Sequence, residues 1–126
     1  ISFQGSVAKV ETFLSDTSLC LHCSRGDAFP TSTLESMMSG VPVIISEWTG
    51  TREIVKQVDS SLILPLNEEM IADGIIKYFS LSKEQKIEIS KKCRMVANYY
   101  TEENSVKHYQ ATFRNILDTI EASTSH

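Results

Sequence analysis

The run Val41-Pro-Val-Ile-Ile-Ser46 is the strongest strand signal in the chain, and what precedes it decides how that strand can pair. Pro42 stands at the start of the run, where a missing N–H removes no ladder hydrogen bond. Ser18 to Ser24, further upstream, is short, apolar and bounded by polar turns, as a buried strand should be. Between them lies a helical stretch from about Ser32 to Ser39, closed by Gly40 where a left-handed residue ends a helix. The alternation continues with a turn at Trp48 to Gly50, a short helix at Arg52 to Lys56, and a brief apolar strand at Ser61 to Leu64 closed by Pro65. At the start, Ile1-Ser-Phe3 reads as a strand already under way, followed by Gly5, a helix N-cap at Ser6, and Val7, Val10 and Leu14 at helical spacing. Strand and helix in alternation imply an α/β fold whose four short parallel strands are covered on both faces.

The second half is helical. Glu68 to Phe79 places Met70, Ile71, Gly74, Ile75 and Tyr78 on one side, and Ser82-Lys-Glu-Gln85 is a capping box opening a helix striped by Ile89, Cys93, Val96 and Tyr100. A last helix, from about Thr101 to Ala122, aligns Val106, Tyr109, Phe113, Ile116 and Ile120, and Ser123 to His126 is expected to be a disordered tail. Four strands make a small sheet for this class, so residues 1–126 are expected to be part of a longer protein.

Bulk properties exclude more than they assign. The length of 126 residues fits one domain. A net charge of −4 provides no broad basic face, so no nucleic-acid partner is expected. No apolar run approaches the roughly 20 residues that span a bilayer, and no secretory leader is legible. Three cysteines, an odd number, fit reduced thiols. A cytoplasmic protein without a transmembrane segment is expected, free or at the membrane surface in its longer form.

Residues 20 to 44 offer three short motifs. Cys20 and Cys23 form a CxxC, but residues three apart on a strand point to opposite faces and no second ligand pair follows, so no metal is expected; both read as buried small hydrophobes. Arg25-Gly26-Asp27 is an adhesion tripeptide by spelling and a turn by context. Asp27 and Glu35 are more informative, because they flank a strand-to-helix loop. In open α/β sheets ligands bind beyond the carboxyl ends of strands, and a helix N-terminus seats a phosphate. The two acids would then accept hydrogen bonds from sugar or ribose hydroxyls on either side of it. Ser32-Thr-Leu-Glu35 also fits a capping box, and Asp27 also fits a plain turn residue. Spacing alone leaves these alternatives open. Glu53 reads as part of an ordinary amphipathic first turn more than as a group approaching the cleft, Trp48 as a partly buried loop anchor more than a surface for stacking on a sugar or base, and Lys83 to Arg94 as a solvated, ion-paired helix face more than a binding patch.

The longer run from Ser24 to Ser46 resembles the signature of retaining GT-B glycosyltransferases in the glycosyl transferases group 1 family. Phe29, Pro30, Leu34, Glu35, Met37, Gly40, Pro42, Val43 and Ile44 fall on its pattern. Thr49-Gly-Thr-Arg-Glu-Ile-Val55 resembles the family's Gly-Gly-x-x-Glu-Ile-Val loop, and the last three helices resemble its helical C-terminal stretch. The fold implied is a three-layer Rossmann-like parallel sheet, part of a GT-B C-terminal domain, with C-terminal helices.

The resemblance implies transfer of a sugar from a UDP-, GDP- or ADP-sugar to an acceptor hydroxyl with retention, without cofactor or required metal. Asp27 would contact hydroxyls of the transferred sugar and Glu35 the ribose, as the catalytic pair. Ala28, Phe29, Pro30, Thr31, Ser32, Thr33 and Leu34 would line sugar and diphosphate. The acceptor, a saccharide or lipid-linked glycan, would be held by a separate N-terminal domain. Two departures stand out: Asp27 replaces the usual Glu, and Asp59-Ser-Ser-Leu62 replaces a glycine-bearing turn. The family's basic pair for the diphosphate lies upstream of the matching residues, so residues 1–126 are expected to bind donor without catalysing transfer alone. The rival reading is a non-catalytic Rossmann-like binding or interaction module, or an unrelated doubly wound domain sharing the loop geometry.

Overall fold

A computed structural model describes residues 1–124. Along the chain run α1 (Val10–Leu14), β1 (Cys20–His22), α2 (Thr31–Met38), β2 (Val43–Ser46), α3 (Arg52–Val58), β3 (Ile63–Leu64), α4 (Glu68–Phe79), α5 (Lys83–Asn98) and α6 (Glu102–Thr124). The three strands form one parallel sheet in the order β1-β2-β3. Cys20 stands opposite Val43 and His22 opposite Ile45, while Ile45 also faces Ile63 on the other edge.

The α/β class with a Rossmann-like parallel sheet is as expected, but the described residues form three strands. Ile1 to Phe3 forms no strand and is exposed, because no described strand lies beside it to complete a ladder. The first helix likewise begins at Val10, not after Ser6, and leaves Val7 exposed. Before β3, the Asp59 carboxylate accepts the Ser61 N–H at 2.8 Å and winds Ser60–Leu62 into a 3-10 turn. That side-chain turn takes the place of the glycine-bearing turn and delays the strand to Ile63.

β2 is central, and all four of its residues are buried, so both of its faces are covered. Gly74 brings α4 flat against the sheet: a Cβ there would overlap the Leu64 side chain and touch Ile44 Cδ1 at 3.6 Å. Val43 and Ile45 point the opposite way along the strand and join a core with Met37, Val55, Ile89 and Cys93. Fully burying such side chains stabilises a fold by roughly 1.5–3 kcal/mol each.

The capping box of α5 forms as the sequence predicts, with the Gln85 N–H donating to Ser82 Oγ at 3.2 Å and the Ser82 N–H to Gln85 Oε1 at 2.9 Å. From that start α5 buries Ile89, Cys93, Val96 and Ala97 and packs against α2 and α3. Burial pushes the Cys93 thiol up to about 12. It also raises the Tyr78 phenol, with Cys93 a smaller contributor. Ser123 and Thr124 belong to α6, which shortens the expected disordered tail; Ser125 and His126 lie outside the described residues. Among the described residues no helix is long and apolar enough to cross a membrane.

Candidate functional site

Because the strands are parallel, the exits of β1 and β2 lie at the same end of the sheet, and the loop from Cys23 to Pro30 rises there. Two side-chain turns shape it. Ser24 Oγ accepts the Gly26 N–H at 3.1 Å, and Asp27 Oδ1 accepts the Phe29 N–H at 3.2 Å. The Arg-Gly-Asp tripeptide is therefore part of a turn. Cys23 falls just after β1 and is exposed, which corrects its reading as a buried residue; partial burial still raises its thiol.

This loop is fastened to the exit of β2. Ser46 Oγ donates to the Ser24 carbonyl and lies 3.1 Å from Thr49 Oγ1, while the Gly50 N–H donates to the Asp27 carbonyl at 2.8 Å. Asp27 and Thr49 form an isolated parallel bridge. The approach is so close that a Cβ on Gly50 would overlap the Ala28 carbonyl, so this position requires glycine. Trp48, at the turn beside it, is 61% exposed, more open than the partly buried anchor expected of it.

The helix that follows starts one residue earlier than its sequence signal. Pro30 is the N-cap, Ser32 lies inside α2, and no side-chain cap is made, so the Ser32/Glu35 capping box does not form. A proline offers no side-chain acceptor, and the first N–H groups of α2 are left without a side-chain cap. Glu35 is exposed on this helix and, among the described residues, joins no ion pair. Thr33 and Leu34 point into the core at 1% and 7% exposure, so only their backbone can face a ligand. Ala28, Phe29, Thr31 and Ser32 are exposed, and Pro30 is buried.

The structure adds groups that the motif reading passed over. His22, the last residue of β1, holds Nε2 3.2 Å from Asp27 Oδ2 without hydrogen-bond alignment, and that nitrogen is buried with no other partner among the described residues. Its signal was a single imidazole ending an apolar run. Ser46, Thr49 and Thr51 form a buried hydroxyl floor beneath the loop, and among the described residues the Oγ1 atoms of Thr33 and Thr51 have no hydrogen-bond partner. Polar residues closing the strongest strand were the clue to that floor. Glu53 pairs with its neighbour Arg52 at 3.6 Å on the exposed start of α3, in keeping with a structural role. Among the described residues no group of three His, Cys, Asp or Glu side chains is placed to hold a metal ion.

Parallel strands that deliver a stitched loop and a helix N-terminus at their carboxyl ends define the class, a Rossmann-like α/β domain. The family model of glycosyl transferases group 1 matches residues 1–80, more than half of the chain, and the chain belongs to that family. The match takes in the loop, the sheet and α4; α5 and α6 lie beyond it. No curated protein and no solved structure gives a significant match.

Proposed function

We propose that the chain is the donor-binding portion of a retaining GT-B glycosyltransferase, in which α2 receives the diphosphate of a UDP-, GDP- or ADP-sugar. The observation that carries this reading is the uncapped N-terminus of α2, with Asp27 before it and an unpaired Glu35 on it. Such a terminus concentrates about half a positive charge on N–H groups that lack intrahelical acceptors. The diphosphate supplies acceptors for them. Negative charge that grows on the diphosphate as the glycosidic bond breaks is stabilised there by donors already in place.

Asp27 then accepts from hydroxyls of the transferred sugar and Glu35 from the ribose. Oδ1 of Asp27 already serves the loop, so Oδ2, the oxygen beside His22, is the one that turns to the sugar. Ala28 to Leu34 line the donor chiefly with backbone. The acceptor, a saccharide or lipid-linked glycan, is held by a further domain, and the protein works in the cytoplasm or at its membrane surface.

The test is calorimetric titration of the chain with UDP-, GDP- and ADP-sugars. One of the three nucleotides is expected to bind, and Asp27→Ala and Glu35→Ala each weaken it about ten- to a hundredfold, as loss of a charged hydrogen-bond partner does. Glu35→Gln, which would preserve a cap, weakens donor binding as well. Unchanged affinity in the alanine variants would sink the roles assigned to both acids. A well-folded chain that binds none of the donors would favour the rival non-catalytic interaction module.

A further inference from the structure

At the opposite end of the sheet, Ser18 precedes β1 and Pro42 precedes β2, and both open onto a cleft of about 640 Å³ against α5. Four cations, Lys83, Lys86, Lys91 and Arg94, line it, and no carboxylate does. In a chain of net charge −4 this is a local inversion of sign. It follows from helical spacing: residues 83, 86, 87, 90, 91 and 94 share one face of α5, whereas Glu84 and Glu88 fall outside the lining.

Two of these cations have structural tasks. Arg94 donates to the Ser39 carbonyl at 3.2 Å at the end of α2, and Lys86 donates to the Phe79 carbonyl at 2.8 Å at the end of α4. Such bonds compensate the negative ends of two helices, about half a charge each. Neither cation is exhausted by them, since an ammonium has three donors and a guanidinium five. Lys83 and Lys91 are exposed and, among the described residues, make no hydrogen bond or ion pair. The cleft keeps a net positive charge that helix capping does not account for. Ser90 adds a hydroxyl, and Phe79 and Ile87 give it an apolar wall.

We propose that this cleft is a second anion site, taking a small phosphate-bearing solute whose oxygens meet Lys83, Lys91 and the spare donors of Arg94 and Lys86. Its volume lies in the range of small-molecule sites, roughly 300–1,000 Å³. It lies at the strand end away from the Asp27 loop and does not depend on donor binding there.

The experiment is an amide-resolved NMR titration of the chain with sodium pyrophosphate at constant ionic strength. Saturable shifts are expected at residues 83 to 94 and at Ser18. The double variant Lys83→Ala/Lys91→Ala, which removes no internal bond, should weaken those shifts at least about tenfold while leaving any at the start of α2 unchanged. Shifts confined to α2, or shifts at α5 that survive the double variant, would overturn the proposal. A parallel arm uses vesicles of phosphatidylglycerol and phosphatidylcholine. Lysine-dependent binding to vesicles without any response to pyrophosphate would make the face a membrane contact and overturn the solute site.

Discussion

Helices α5 and α6 are neighbours in sequence and alike in pattern, yet they end in opposite environments. Each carries an apolar stripe at helical spacing. The α5 stripe is covered by α2 and α3, with Cys93 at 1% exposure and Ala97 at 0%. On α6, Val106, Tyr109, Phe113, Ile116 and Ile120 are all exposed, Tyr109 at 72%. Periodicity shows that a helix has an apolar side, whereas only tertiary placement shows whether anything lies against it. In α5 the stripe contributes to folding energy; in α6 its main contribution is to the helix itself.

The largest effect that separates the two should come from truncating α5. Ile89→Ala removes a side chain by which α5 joins the buried core and should cost about 3 kcal/mol in urea unfolding. Gly40→Ala attacks the packing of α5 from the α2 side. Gly40 has φ +80°, and a Cβ there would meet Ser90 Oγ at 2.7 Å and crowd the Arg94 guanidinium. Strain and overpacking together should cost about 2 kcal/mol. A fully stable Gly40→Ala variant would mean that α2 and α5 are not in close contact in solution.

A pH series sharpens the point without changing covalent packing. The folded Cys93 thiol titrates at about 12, above its ordinary value of 9.0, so folding favours the neutral form. The stability it supports is complete below about pH 9 and declines as pH rises toward 12, by up to about 1.4 kcal/mol per unit. Tyr78, also raised by burial, slopes the same way. The informative quantity is therefore the difference in slope between the chain and Cys93→Ala. Equal slopes would place the thiol in water.

These contrasts also show what the sequence could disclose. The helix Glu68–Phe79 and the capping box at Ser82 were legible because caps and stripes are local. Strands were legible only where a partner exists: Val43–Ser46 pairs on both sides, whereas Ile1 to Phe3 has no described neighbour and stays irregular. At the candidate site, the loop and both acids are visible in the sequence, but the N-cap of α2 lies two residues before the position its capping-box pattern indicates. Pro30 takes the N-cap that Ser32 was expected to take, and this leaves Glu35 unpaired instead of capping. The His22 contact and the Gly50 fastening join residues more than one element apart or across a turn, and no local pattern encodes them.

The smallest effect is expected at Phe113, on the exposed stripe of α6. Phe113 stacks on Tyr109 with ring centroids 5.9 Å apart, one turn away on the same helix, and is otherwise 55% exposed. An i,i+4 apolar pair stabilises a helix by only about 0.2–0.5 kcal/mol. Phe113→Ala should therefore change the unfolding free energy by less than about 0.5 kcal/mol, against the much larger loss at Ile89. Urea curves at two protein concentrations measure it directly. A loss above about 2 kcal/mol would require the α6 stripe to be covered in solution, and dependence of that loss on concentration would assign the cover to a second molecule.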